Sequence, residues 1–167
     1  MKKICFLFLL AAGTFTTAKA QQKVAAMPAM DKKAIEATVL KMFAGMRSGD
    51  SALVRSVLAP GARLVSVRDG PDGDVKTTET HLGKFLSAIG TPHADVWDER
   101  ISNGKAEVDG DLGTYWCQHA FYVGNKFSHC GVDAFQLIRT KKGWQIFQVA
   151  DTRRKEQCNL VAANPVK

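Results

Sequence analysis

The sequence lacks the short signatures of cofactor chemistry. It has no CxxC or HExxH spacing, no GxxxxGK[ST] loop and no GxGxxG, which removes zinc-finger, thioredoxin, nucleotide and dinucleotide readings. Long apolar runs are missing too: the longest, residues 4–12, falls far short of the roughly 20 residues that span a bilayer. Basic clusters are scarce. Arg153-Arg154-Lys155 is the one basic run and no aromatics are interleaved with it, so no nucleic-acid partner is expected. No repeat or low-complexity segment breaks the chain into parts.

The short apolar run does have a meaning. Lys2 and Lys3 precede it and Ala18-Lys19-Ala20 follows it, the order of a secretory signal with a small-x-small cleavage site. Residues 1–20 are therefore read as a signal peptide, with Gln21 as the mature N-terminus and a periplasmic or secreted destination without membrane attachment. Cys5 lies inside the run, so a lipid-modified cysteine is not expected. Losing Lys2, Lys3 and Lys19 takes the formal charge from +7 to +4, only mildly basic. The remaining 147 residues suit one domain with a sizeable core.

Residues 21–30, rich in Ala, Gln and Met, read as a tether. Asp31 can cap a helix over 32–48 whose Ile35, Val39, Met42, Phe43 and Met46 recur at helical spacing. Asp50 can cap a second, shorter helix that Pro60-Gly61 stops. A strand over 62–67 leads to the turn formers of "RDGPDGD" and then a hairpin or mobile loop. A third helix fits Thr80 to Ile89, and Pro92 bars its continuation. Strands follow at about 95–102, 112–123, 127–140 and 144–153, separated by "NGK" at 103–105, "GNK" at 124–126 and "KKG" at 141–143. Helices followed by a meander imply an α+β domain over residues 31–158, three helices on a curved, mainly antiparallel sheet, with 159–167 as a tail.

Two stretches, "MRSGDSALVRSVLAPGARLVSV" (46–67) and "GVDAFQLIRTKKGWQIFQVAD" (131–151), carry a resemblance to the NTF2-like superfamily. This is the cone fold of nuclear transport factor 2, SnoaL-type cyclases and ketosteroid isomerase, and the resemblance leans towards small secreted bacterial proteins of the SnoaL-like or lumazine-binding-like kind. It implies a concave pocket, and it hosts enzymes and plain binding modules alike. Asp133 falls where the isomerase keeps a protonated aspartate that donates to the oxyanion. The isomerase's tyrosine and base positions hold Met42 and Ser66, so that mechanism is not implied.

Strand alternation then groups the side chains. The short loop at 124–126 places Cys117 opposite Asp133, His119 opposite Gly131 and Phe121 opposite His129. The loop at 141–143 places Asp133 opposite Ala150 and Phe135 opposite Gln148. One face carries Tyr115, Cys117, His119, Phe121, His129, Asp133, Phe135, Trp144 and Gln148, and the resemblance at Asp133 makes it the ligand side. His129 and Asp133, four residues apart on one strand, are about 13 Å apart, with His119 within reach of either.

Candidate catalytic residues are His119 and Asp133 with Cys117 nearby, as base and nucleophile. Tyr115, Phe121, His129, Phe135, Trp144 and Gln148 are candidate ligand-binding residues. A loose metal site among these groups is conceivable, but no metal and no cofactor are expected. The opposite face, with Trp116, Tyr122, Ile138, Phe147 and Val149 among its residues, is too apolar for water and is expected to pack in a homodimer. Cys117 and Cys130 point to opposite faces, which leaves Cys130 to Cys158 as the expected disulfide. The sequence thus reads as an exported protein binding a small, mainly apolar molecule. A cofactor-independent cyclase, isomerase or hydrolase, or a dimerising module without ligand, remain the alternatives.

Overall fold

Gly49 and Asp50 divide the first helical run in two. Gly49 takes φ 70°, and the Asp50 carboxylate accepts from the Leu53 N–H at 2.8 Å, a C-terminal stop followed at once by an N-cap. The computed structural model describes residues 17–158, comprising α1 (Thr17–Ser48), α2 (Ser51–Val57), β1 (Leu58–Asp69), β2 (Val75–Thr80), α3 (Leu82–Gly90), β3 (Trp97–Asp109), β4 (Leu112–Val123), β5 (Lys126–Thr140) and β6 (Gly143–Thr152). The three helices cover one face of a six-stranded sheet of order β2-β1-β6-β5-β4-β3. Every pairing is antiparallel except the parallel β1–β6 contact. Among the described residues no helix is long and apolar enough to cross a membrane.

Helix α1 holds the fold together. Its stripe of Ile35, Val39, Met42, Phe43 and Met46 is buried against Phe135, Leu137, Trp144 and Ile146 of the sheet, each side chain contributing about 1.5–3 kcal/mol of transfer free energy. Ion pairs pin it at both ends of this stripe. Arg139 grips Asp31 with two bonds of 2.6 and 2.7 Å, and Arg47 meets the buried Asp98, which Arg100 also holds at 2.7 Å. Removing the Phe43 ring would open the centre of this packing at a cost of roughly 3–5 kcal/mol.

Several expectations need correction. Residues 21–30 are not a tether but part of α1, in keeping with the helix preference of their Ala, Gln, Lys and Met. The first sixteen residues of the expected signal, and the tail 159–167, lie outside the described residues. "NGK" does not end a strand. Asn103 adopts φ 54° and forms an irregularity between Ser102 and Lys105, so β3 runs on to Asp109 and the turn falls at Gly110, with φ 56°. Asn-Gly serves a bulge as well as a turn because both need the left-handed region.

The second hairpin carries a bulge that alternation could not foresee. Pairings near the turn run Leu137 to Ile146, but beyond a shift at Phe147 they run Gln136 to Gln148, Phe135 to Val149 and Asp133 to Asp151. Asp133 therefore does not face Ala150, and Phe135 does not face Gln148. One inserted residue exchanges the faces of everything after it: Val149 and Asp151 turn inward and Gln148 outward.

Candidate functional site

Five strands in succession contribute one polar side chain each to the concave face. Glu99 on β3 pairs in register with Phe121, His119 on β4 with Gly131, Asp133 on β5 with both Cys117 and Asp151, and Asp151 on β6 with Ser66 on β1. The result is a row, Glu99–His119–Asp133–Asp151–Ser66, across the sheet. Its members touch. His119 Nδ1 lies 3.0 Å from Asp133 Oδ1 and 3.9 Å from Glu99 Oε1. Cys117 donates its S–H to Asp133 Oδ2 at 3.8 Å, and Ser66 Oγ donates to Asp151 Oδ1 at 2.7 Å. Arg153 also donates to Asp151, at 2.6 Å.

Above this row lies a cavity of about 490 Å³, within the range of sites that enclose a small organic molecule. Met42, Phe43 and Met46 of α1 and Phe85 and Ala88 of α3 form its roof, and Trp97, Phe121, Phe135 and Val149 its apolar walls. Glu99, His129, Asp133 and Asp151 supply its polar edge. Met42 is thus part of an apolar roof.

Four of the sequence-derived candidates line this cavity: Phe121, His129, Asp133 and Phe135. His119 is one layer back, its side chain wholly buried behind Glu99 and Asp133. Cys117 is buried off the cavity, and its thiol is occupied by Asp133. Tyr115 and Trp144 are core residues, because α1 crosses that end of the sheet. Tyr115 donates to Glu36 of the helix at 3.2 Å, and Trp144 lies 4.5 Å beneath the Arg139 guanidinium. Gln148 faces away. Glu99 and Asp151 were missed, because each depends on an irregularity that shifts a register. The Asp109-Gly110 turn signal would have recovered Glu99, whereas no residue type announces the Phe147 bulge. Cys130 and Cys158 are joined by a disulfide with Cα atoms 5.8 Å apart, and Cys117 is free.

Burial and crowding set the protonation of the row. Burial first, and then the Asp133 charge, push Glu99 up to about 8. Asp133 is also raised, by burial, with the His119 contact opposing. For His119 burial pulls downward, but Asp133, Glu99 and Asp151 outweigh it and the net shift is upward. His129 goes the other way, pulled to about 4 by burial and by Arg153 and His119. Cys117 is driven up by burial and by the neighbouring carboxylates, the reverse of an activated thiol, so the nucleophile reading fails on both access and charge.

Comparison with known proteins places this geometry. Residues 30–150 match a family model described as "Putative lumazine-binding". No curated protein matches the chain. Among solved structures, an NTF2-like protein with a cystatin-like fold from Novosphingobium aromaticivorans superposes with a TM-score of 0.65 at 14% identity, over 87% of this chain and 94% of its own. A "putative ketosteroid isomerase" from Shewanella frigidimarina gives 0.51 at 18% identity, over 71% and 94%. The CaMKII hub of S. rosetta gives 0.57 at 11%, over 74% and 96%. These likenesses establish the NTF2-like fold.

Proposed function

This chain belongs to the lumazine-binding-like family matched over residues 30–150, and on that premise we propose that its cavity binds a small, mainly apolar organic molecule. The observation that carries the reading is the cavity itself, about 490 Å³ with a mainly apolar roof and walls, a carboxylate-rich edge on the sheet, and Lys84 and Thr80 also among its lining. Such a site gains affinity from apolar burial and orientation from a few polar contacts. A guest would lie between Phe121, Phe135 and the α3 wall, with a polar atom directed at Asp133.

The test uses the fluorescent probe 1-anilinonaphthalene-8-sulfonate on the native protein. Roughly one probe per chain should bind, and Ala88→Trp, which fills the cavity from α3, should abolish binding while keeping the thermal midpoint. Absence of binding to the unmodified protein, or equal binding to the variant, would sink the idea.

A second reading, isomerase-type chemistry, draws support from one contact. Asp133 faces the cavity and is held by His119 at 3.0 Å, so Asp133 would meet the substrate and His119 would position it. We also propose export, supported by the basic-apolar-small order of residues 1–20 and by the Cys130–Cys158 disulfide. Dimerisation through the outer sheet face is proposed from Trp116, 56% exposed, and Ile138, 37% exposed. Light scattering should then show Trp116→Glu reducing a dimer to a monomer.

A further inference from the structure

Glu99, His119 and Asp133 come from three successive strands, yet one donor atom from each lies within 4.8 Å of the others. Two of the separations are 3.0 and 3.9 Å. Ligands bound to one cation at about 2.0–2.2 Å sit about 3–3.5 Å apart on neighbouring corners of a tetrahedron or octahedron, so small side-chain rotations would bring this trio into range. The 3.0 Å Asp133–His119 approach is a close ion-pair contact that lacks the alignment of a good hydrogen bond. Neither ring nitrogen of His119 has a hydrogen-bond partner, although the side chain is completely shielded from solvent. Buried imidazole nitrogens are normally satisfied, and here Nδ1 faces two carboxylates, at 3.0 and 3.9 Å, without an aligned hydrogen bond to either, while Nε2 has no partner.

The surroundings suit a ligand set. Cys117 occupies Asp133 Oδ2, leaving Oδ1 for the shared point, the kind of outer contact that orients metal-binding carboxylates. Glu99 and Asp133 both border the cavity, so coordination positions not taken by protein would open into it. Once deprotonated to bind a cation, one imidazole and two carboxylates would carry a formal charge of about −2 and match borderline divalent ions better than magnesium or calcium, which favour all-oxygen shells. We propose that Glu99, His119 and Asp133 form a three-ligand site for a divalent first-row transition cation on the cavity floor, with its open positions facing the guest. This goes beyond ligand binding and does not require the apolar guest to be present.

The test takes untagged protein stripped with EDTA and titrates it with cobalt chloride, following visible d–d absorption and calorimetric stoichiometry, with zinc chloride as competitor. One cobalt per chain is expected, displaced by zinc, with a higher thermal midpoint in the loaded form. Glu99→Gln and His119→Gln should each weaken binding at least tenfold, whereas His93→Ala, at an exposed histidine, should leave it unchanged. Folded protein that takes up no stoichiometric cobalt would overturn the proposal. So would binding that survives both ligand substitutions, or that is lost in His93→Ala.

Discussion

His119 stands over Gly131 on the neighbouring strand, its Cε1 only 2.8 Å from where a β-carbon on that glycine would lie. On its other side the same imaginary carbon would collide with the Thr152 carbonyl of β6. Gly131 therefore lets three strands close around the buried imidazole, and the His119–Asp133 contact depends on a residue with no side chain.

Gly131→Ala is accordingly expected to destabilise the fold by about 1–3 kcal/mol, the usual cost of forcing a methyl group into filled space. The carbonyl is backbone and cannot swing aside, so the change should also displace His119. Urea unfolding gives the first quantity, and the His119 imidazole resonances report the second. Unchanged stability with unchanged resonances would show the strands to be looser than described.

Cys117 should behave as an inert small hydrophobe. It is buried, bonded to Asp133 and pushed towards the thiol form by burial and nearby carboxylates. In the native protein a thiol reagent should label it at least ~100-fold more slowly than in the unfolded chain, since access requires opening the core. Rapid stoichiometric labelling of the folded state would return it to the list of nucleophiles.

Much of this architecture was legible because the stretches that carry it obey one period throughout. The α1 stripe and the Asp50 cap follow directly from spacing, and the β4–β5 register from Cys117–Asp133 to Phe121–His129 comes out as alternation expects, although a shift between Phe121 and Tyr122 separates it from the turn. The site was only half legible. Asp133, His129, Phe121 and Phe135 keep the expected β4–β5 pairing although that hairpin also shifts between Phe121 and Tyr122, while Glu99 and Asp151 lie past shifts in β3–β4 and β5–β6 that reverse inside and outside. Tyr115 and Trp144 were misplaced for another reason: alternation gives the face of a sheet but not how far along it the helix lies.

The Asp31–Arg139 pair ties α1 to β5 and gives a pH signature. The Arg139 hydrogen bond, opposed by burial and helped by the Arg139 charge, holds the Asp31 carboxyl below the usual range. A depressed carboxyl contributes stability above its unfolded value, near 3.9, and loses it as pH falls through the lower folded value. The stability difference between the native protein and Asp31→Asn should thus be present at neutral pH and close below about pH 4. Thermal midpoints measured across that interval decide it, and a gap that persists in acid would mean that Asp31 acts through packing rather than charge.

The Cys130–Cys158 bond joins the middle of β5 to residues just beyond β6, across a sequence separation of 28. Arg154 already pairs with Cys130 through two backbone bonds of 2.9 Å, so the end of the chain is held even when the disulfide is open. Closing a loop of this length lowers the entropy of the unfolded chain by an amount worth roughly 3–4 kcal/mol. Because the backbone bridge remains, reduction should lower the thermal midpoint without dismantling the fold. The double variant Cys130→Ser with Cys158→Ser should match the reduced protein and be insensitive to dithiothreitol. A reduced protein as stable as the oxidised one would indicate that the bond contributes nothing beyond the local pairing already made by Arg154.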